Sequence, residues 1–228
     1  MTTESDGRFT PRGSSVFLRP IGNPLPLGFL GLTVATISLA GLDLGWVPSS
    51  EQHQVAIVLV AFAFPLQATA TVFGFLGRDA VVASGIGVQS GAWLTLGLLL
   101  LTSAPGSRSQ AVALFLFVAS AALVSAVVVS LHSKLVPALV MAGTVVRFCL
   151  TGIYERTGSL AVRQASGWEG VALAALALYA AVAVDIESAQ NRTVLPVGRF
   201  AGGKRALQGD ALAQVASVEH EAGVREQL

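Results

Sequence analysis

The chain has 228 residues, of which 53% are hydrophobic and only 12% charged, with a mean hydropathy of +0.69 and a formal net charge of +1. That balance excludes an ordinary soluble domain, and at about 20 residues per membrane crossing the length leaves no room for a separate catalytic domain. One cysteine, Cys149, excludes an intrachain disulfide, and its place inside an apolar run reads as a buried, inert thiol.

Residues 1–22 are polar, contain Gly7, Pro11, Gly13, Ser14 and Ser15, and show no apolar period, so they read as a disordered arm. The first apolar run begins about 26 residues in, behind three arginines, which does not fit a cleavable signal peptide. At the head of that run stands Asn23-Pro24-Leu25-Pro26-Leu27-Gly28. Asparagine suits a helix N-cap and proline the first helical position, so Asn23-Pro24 predicts a helix start at a membrane boundary, where an N-terminus can receive an anion.

Six apolar runs follow, near 27–47, 54–76, 80–103, 110–131, 135–154 and 168–187, each long enough to span. Brief connections join them, except for a polar loop predicted at 155–167 and a Pro105-Gly106 turn within 104–109. The fold class expected is an all-α bundle of six transmembrane helices. Counting Lys and Arg by side, Arg8, Arg12, Arg19, Arg78, Lys134, Arg192, Arg199, Lys204, Arg205 and Arg225 fall together, against Arg108, Arg156 and Arg163 opposite. The excess marks the cytoplasmic side, so both termini are expected there, in an inner (plasma) membrane. Beyond residue 198 the chain is a polar tail, in which Leu207, Ala211, Val215 and Val218 recur at roughly helical spacing. Asn191-Arg192-Thr193 matches a glycosylation acceptor, but on the cytoplasmic side it would stay unmodified.

Small residues at four-residue spacing, Gly87 with Gly91 and Ala177 with Ala181, predict close helix approach, within one protomer or between copies. Ser84-Gly85-Ile86-Gly87 lacks the strand and lysine of a phosphate loop. His53, His132 and His220 have no zinc-ligand spacing, and no nucleophile, paired carboxylates or metal cluster stands at catalytic spacing. No enzyme, metal, cofactor or nucleic-acid partner is expected; the bilayer is.

Arg147 is the sharpest single residue. In a span over 135–154 it lies about three residues past the centre, too deep to reach an interface readily, and arginine there costs at least about 2.5 kcal/mol. It either faces a passage and meets a substrate carboxylate, or pairs with Asp43, Glu155 or a polar side chain of another helix, or, as a lesser option, marks a span whose boundary is shifted. Gln67 and Thr69 near Pro65, Gln89, and Thr144 three residues before Arg147 add polar groups to the spans. Together they would line a hydrophilic path; singly, each reads as an interhelical hydrogen bond. Asp43, Glu169 and Asp185 fall near span ends, leaving no carboxylate near midspan to carry a proton.

Asn23 to Phe29 closely resembles the Asn-Pro-Ala-Pro-Leu-Gly-Leu signature of the acetate uptake transporter family, whose bacterial members include succinate/acetate proton symporters. The likeness extends through Gln67, Trp93-Leu94-Thr95-Leu96, Gly167-Trp168 and Arg192 to Gly198, covering about residues 23–198. It implies a path through each protomer, a homohexamer, and transport of small monocarboxylate or dicarboxylate anions such as acetate or succinate, by proton symport or as an anion channel. The family's narrow point is usually a phenylalanine, a tyrosine and a leucine from the first, third and fifth spans; Leu32, Gln89 and Thr144 stand there in this chain, implying a wider or wetter constriction and altered selectivity. On this reading Asn23, Pro24, Leu27, Gly28, Gln67 and Arg147 contact substrate. The alternative is a non-transporting structural or signalling protein on the same bundle, marked by apolar side chains plugging both sides of Thr144.

Overall fold

A computed structural model describes residues 22–132, 134–190 and 192–199. The expected arm and tail, the Asn191 acceptor and His220 lie outside the described residues, apart from Gly22 and Arg199. Six helices are long and apolar enough to span: α1 Leu25–Leu44, α2 Ser49–Gly77, α3 Val81–Thr102, α4 Gln110–Leu131, α5 Leu135–Thr157 and α6 Leu160–Gln190. Each packs on the next, and α1 packs on α6, so the chain closes into an all-α ring of six. The described C-terminal end returns to the connection between α4 and α5, where Lys134 and Arg199 pair through their backbones and Leu135 N donates to Gly198 O.

Local chemistry sets the helix ends. Asn23 Oδ1 accepts from Leu25 N at 3.0 Å, Pro24 is already helical in backbone angle, and its carbonyl accepts from Gly28 N. Asparagine therefore caps and proline opens the helix, a pairing that suits a residue without an N–H. Gly45, in the left-handed region at φ 73, stops α1 three residues before the apolar run suggests. Two stretches of wider π turns occur: Leu59–Ala63 interrupts α2, and Val81–Ile86 opens α3. The first precedes Pro65, whose missing N–H releases a carbonyl one turn back.

The largest departure from the sequence reading lies between the fifth and sixth spans. The predicted loop at 155–167 is helix except at Gly158-Ser159: α5 runs on to Thr157, and α6 begins at Leu160. Charge signalled a loop, but Arg163 finds partners in the fold, donating to Leu42 O at 2.6 Å and standing 3.7 Å from Asp43. Polarity with a partner does not end a helix. One consequence is that Glu169 sits nine residues inside α6 and not at a span end.

A buried polar layer between two recesses

Close approach of α1 to α2 and α3 builds the centre of the ring. A Cβ on Gly28 would meet Ile86 at 3.1 Å, and one on Gly31 would meet Gln67 Cγ at 2.9 Å. Across that contact Gln67 Nε2 donates to Gly28 O at 2.9 Å and to Gln89 Oε1 at 3.1 Å. Gln89 Nε2 in turn lies 3.4 Å from Thr144 Oγ1 and from Met141 Sδ, and Thr144 donates to Val140 O. One chain of hydrogen bonds thus joins α1, α2, α3 and α5. Gln67, Gln89 and Thr144 have no solvent exposure, nor does Leu32, and Gln67 Oε1 is buried without a hydrogen-bond partner. A buried amide oxygen left unpaired costs about 1–3 kcal/mol, which makes it a natural place for a water molecule or another donor, though not for a carboxylate anion, which can only accept.

One helical turn from Gln89 and Thr144 lie Trp93 and Phe148, whose rings meet edge to face with centroids 5.4 Å apart. Both are buried, and Met141 is buried on the other flank of Thr144. Trp93 entered the sequence reading only as part of a motif, and Phe148 not at all.

Beyond the aromatic pair opens a recess of ≈ 200 Å³, lined by Asp43, Leu96, Leu100, Arg147, Thr151 and Arg163 among others. Arg147 is 2% exposed. Its Nη2 donates to Asp43 Oδ2 at 2.8 Å, and its Nη1 donates to Ser166 Oγ at 2.8 Å and to Ser166 O, while Nε has no hydrogen-bond partner. The guanidinium packs against Gly170, where a Cβ would stand 3.1 Å from its Cζ. Of the readings the sequence left open, the pair with Asp43 is the one formed, although Arg147 also borders the recess. Since α5 ends at Thr157, Arg147 lies one residue past the helix centre. Glu155, the other acid considered, accepts instead from Ser109 N at 2.8 Å.

At the opposite end Asn23 lines a smaller recess of ≈ 80 Å³ with Asp79, Ser130 and Lys134. Pro24 and Leu27 are half-buried, and neither lines this recess. Few backbone donors remain there: Pro24 and Pro26 have no N–H, Leu25 N is capped by Asn23, and Gly28 N is bonded to Pro24 O. Asp79 caps α3, accepting from Val81 N and Val82 N, a role the sequence reading missed although an aspartate before an apolar run is its usual mark. Thr69 is exposed on the outer face and takes no part in the central layer. Gly87 packs on Thr71 of α2, whereas Gly91 faces open space. No group of three or more potential metal ligands occurs among the described residues.

A ring of six apolar helices holding a polar layer between two recesses defines a membrane transporter or channel and not an enzyme. The chain belongs to the GPR1/FUN34/yaaH family, whose model matches residues 5–201. An uncharacterized protein of Methanothermobacter thermautotrophicus is 27% identical over 187 residues, 76% of this chain and 90% of the relative. Among solved structures, that of the bacterial acetate channel SatP is similar at a TM-score of 0.69 and 25% identity, covering 77% of this chain and 98% of the other.

Proposed function

We propose that each protomer passes small carboxylate anions such as acetate or succinate along the axis of its ring, in a homohexamer whose termini face the cytoplasm of a plasma membrane. The observation that carries this reading is the hydrogen-bonded row from Gly28 O through Gln67 and Gln89 to Thr144, buried at the ring centre. Buried amides are costly unless hydrogen-bonded; both Gln67 N–H groups are engaged within the row, so a dehydrated anion passing there takes over one of those donors. Family membership and the likeness to an acetate channel support the substrate class. Arg147 and Arg163 supply positive charge at the larger recess, Asn23 lines the smaller one, and Gly28 belongs to the central layer through its carbonyl. Leu32, Gln89 and Thr144 form the constriction. Transport runs as proton symport or as an anion channel.

Met141 and Phe148 flank Thr144 with apolar surface on both sides, which favours a second reading in which the bundle no longer transports. Uptake of labelled acetate and succinate into proteoliposomes under several pH gradients, corrected against protein-free liposomes, decides between them. Saturable uptake supports transport, and its dependence on the gradient separates symporter from channel. Rates equal to those of empty liposomes for every carboxylate tried would leave only the inert bundle.

A further inference from the structure

The early start of α6 carries a carboxyl group deep into the bundle. A Cβ on Gly143 of α5 would meet Glu169 Oε1 at 3.5 Å. Gly143 is three residues, about 4.5 Å, from the midpoint of the 23-residue α5. Glu169 Oε2 is buried and has no hydrogen-bond partner among the described residues.

The elements packed against this part of α6 are α1 and α5. From α5 the charged group bearing on Glu169 is Arg147, whose Cζ would stand 3.1 Å from a Cβ on the adjacent Gly170. From α1 it is Asp43, which holds Arg147 Nη2. On α6 itself Arg163 is engaged with Leu42 O and Asp43. Two carboxyl groups therefore stand near one guanidinium, and only Asp43 is hydrogen-bonded to it. An ionised carboxylate without a donor at this depth is far more costly than a neutral carboxyl.

We infer that Glu169 is a proton-binding site within the membrane: it holds a proton while Arg147 is paired with Asp43, and releases it when Arg147 changes partner. Glu169 does not itself line the larger recess, so the proton reaches water there through the space that Arg147, which does line it, vacates. The charge left on Glu169 is balanced by the guanidinium, and Asp43, which borders the recess, exchanges its arginine for water. This step rests on the transport reading above and gives it a proton-coupling residue.

Infrared difference spectra of the reconstituted full chain, recorded across pH, read the site directly. The expected result is a protonated-carboxyl C=O band that shifts with isotope-labelled glutamate, disappears in Glu169→Gln and survives Asp43→Asn. Acetate uptake driven by an inward acid gradient should lose its gradient dependence in Glu169→Gln and regain part of it in Glu169→Asp. Absence of the band from the wild type, or its persistence in Glu169→Gln, would overturn the proton site. Unchanged gradient dependence in Glu169→Gln would overturn the coupling. A wild type that shows the band but moves no carboxylate would sink the transport reading, and the coupling with it, while leaving the proton site standing.

Discussion

Asp43 Oδ2 and Arg147 Nη2 stand 2.8 Å apart, tying α1 to α5 across 104 positions of sequence at the floor of the larger recess. The pair sits beside α6, where Ser166 holds the other arm of the guanidinium. A charge so placed either steadies the ring or releases to meet an anion, and removing its partners one at a time distinguishes the two.

Arg147→Ala leaves Asp43 with Arg163, 3.7 Å away, as its remaining cation, and Asp43→Ala leaves the guanidinium held by Ser166 alone; breaking a buried pair costs about 3–5 kcal/mol. The recess admits water to Asp43, so the expected loss for Arg147→Ala lies toward the lower end. The double variant should lose less than the sum of the two singles, by about 1–3 kcal/mol of coupling. Unfolding in detergent reads the cycle. Strict additivity would show that the pair is not formed in the membrane protein.

Gly31→Ala places a methyl 2.9 Å from Gln67 Cγ and 3.2 Å from the Ala63 carbonyl oxygen. Backbone cannot yield as a side-chain tip can, so overpacking should cost about 1–3 kcal/mol and loosen the Gln67 contact with Gly28. Gly91→Ala meets open space and should leave monomer stability within about 0.5 kcal/mol. A change of oligomeric state in Gly91→Ala, measured by light scattering, would place that face between copies.

Gln67→Leu removes the donor that serves both Gly28 O and Gln89 Oε1, leaving buried acceptors behind. The expected destabilisation is about 1–3 kcal/mol, with a fall in carboxylate flux at matched protein density. Unaltered flux would remove Gln67 from the path.

Trp93→Ala deletes the ring that meets Phe148 and opens the wall between the central layer and the larger recess. If that pair limits the bore, succinate flux should rise more than acetate flux, even though loss of a buried aromatic costs about 3–5 kcal/mol in stability. Equal effects on both anions would move the selectivity point to Leu32, Gln89 and Thr144.

Much of the fold was legible because span length and apolar continuity are physical requirements of a bilayer, so Gln110–Leu131 emerges from sequence with the bounds it has in the structure. The Asn23-Pro24 start was legible for a similar reason, since one side chain can cap and the other has no amide to satisfy. Arg163 was misread because a charge signals a loop only until its partner is known, and Leu42 O and Asp43 lie more than a hundred residues away. That error hid the depth of Glu169, whose neighbour Gly143 comes from another helix. The polar identities of Gln67, Gln89 and Thr144 could be read along the chain; their meeting in one row could not, because it depends on how α1, α2, α3 and α5 turn toward each other. Phe148 escaped notice because an aromatic in an apolar run has no signal of its own until Trp93 is placed against it.

The most direct measurement compares initial rates of labelled acetate entry into liposomes holding the wild type, the double variant Gln89→Leu/Thr144→Leu, or no protein, at neutral pH and equal protein density. If the buried polar row carries the anion, the wild type is fast and saturable, and drying that row brings the double variant down to the protein-free rate while it remains folded. A folded double variant that conducts as the wild type does would contradict a path through the centre of the ring.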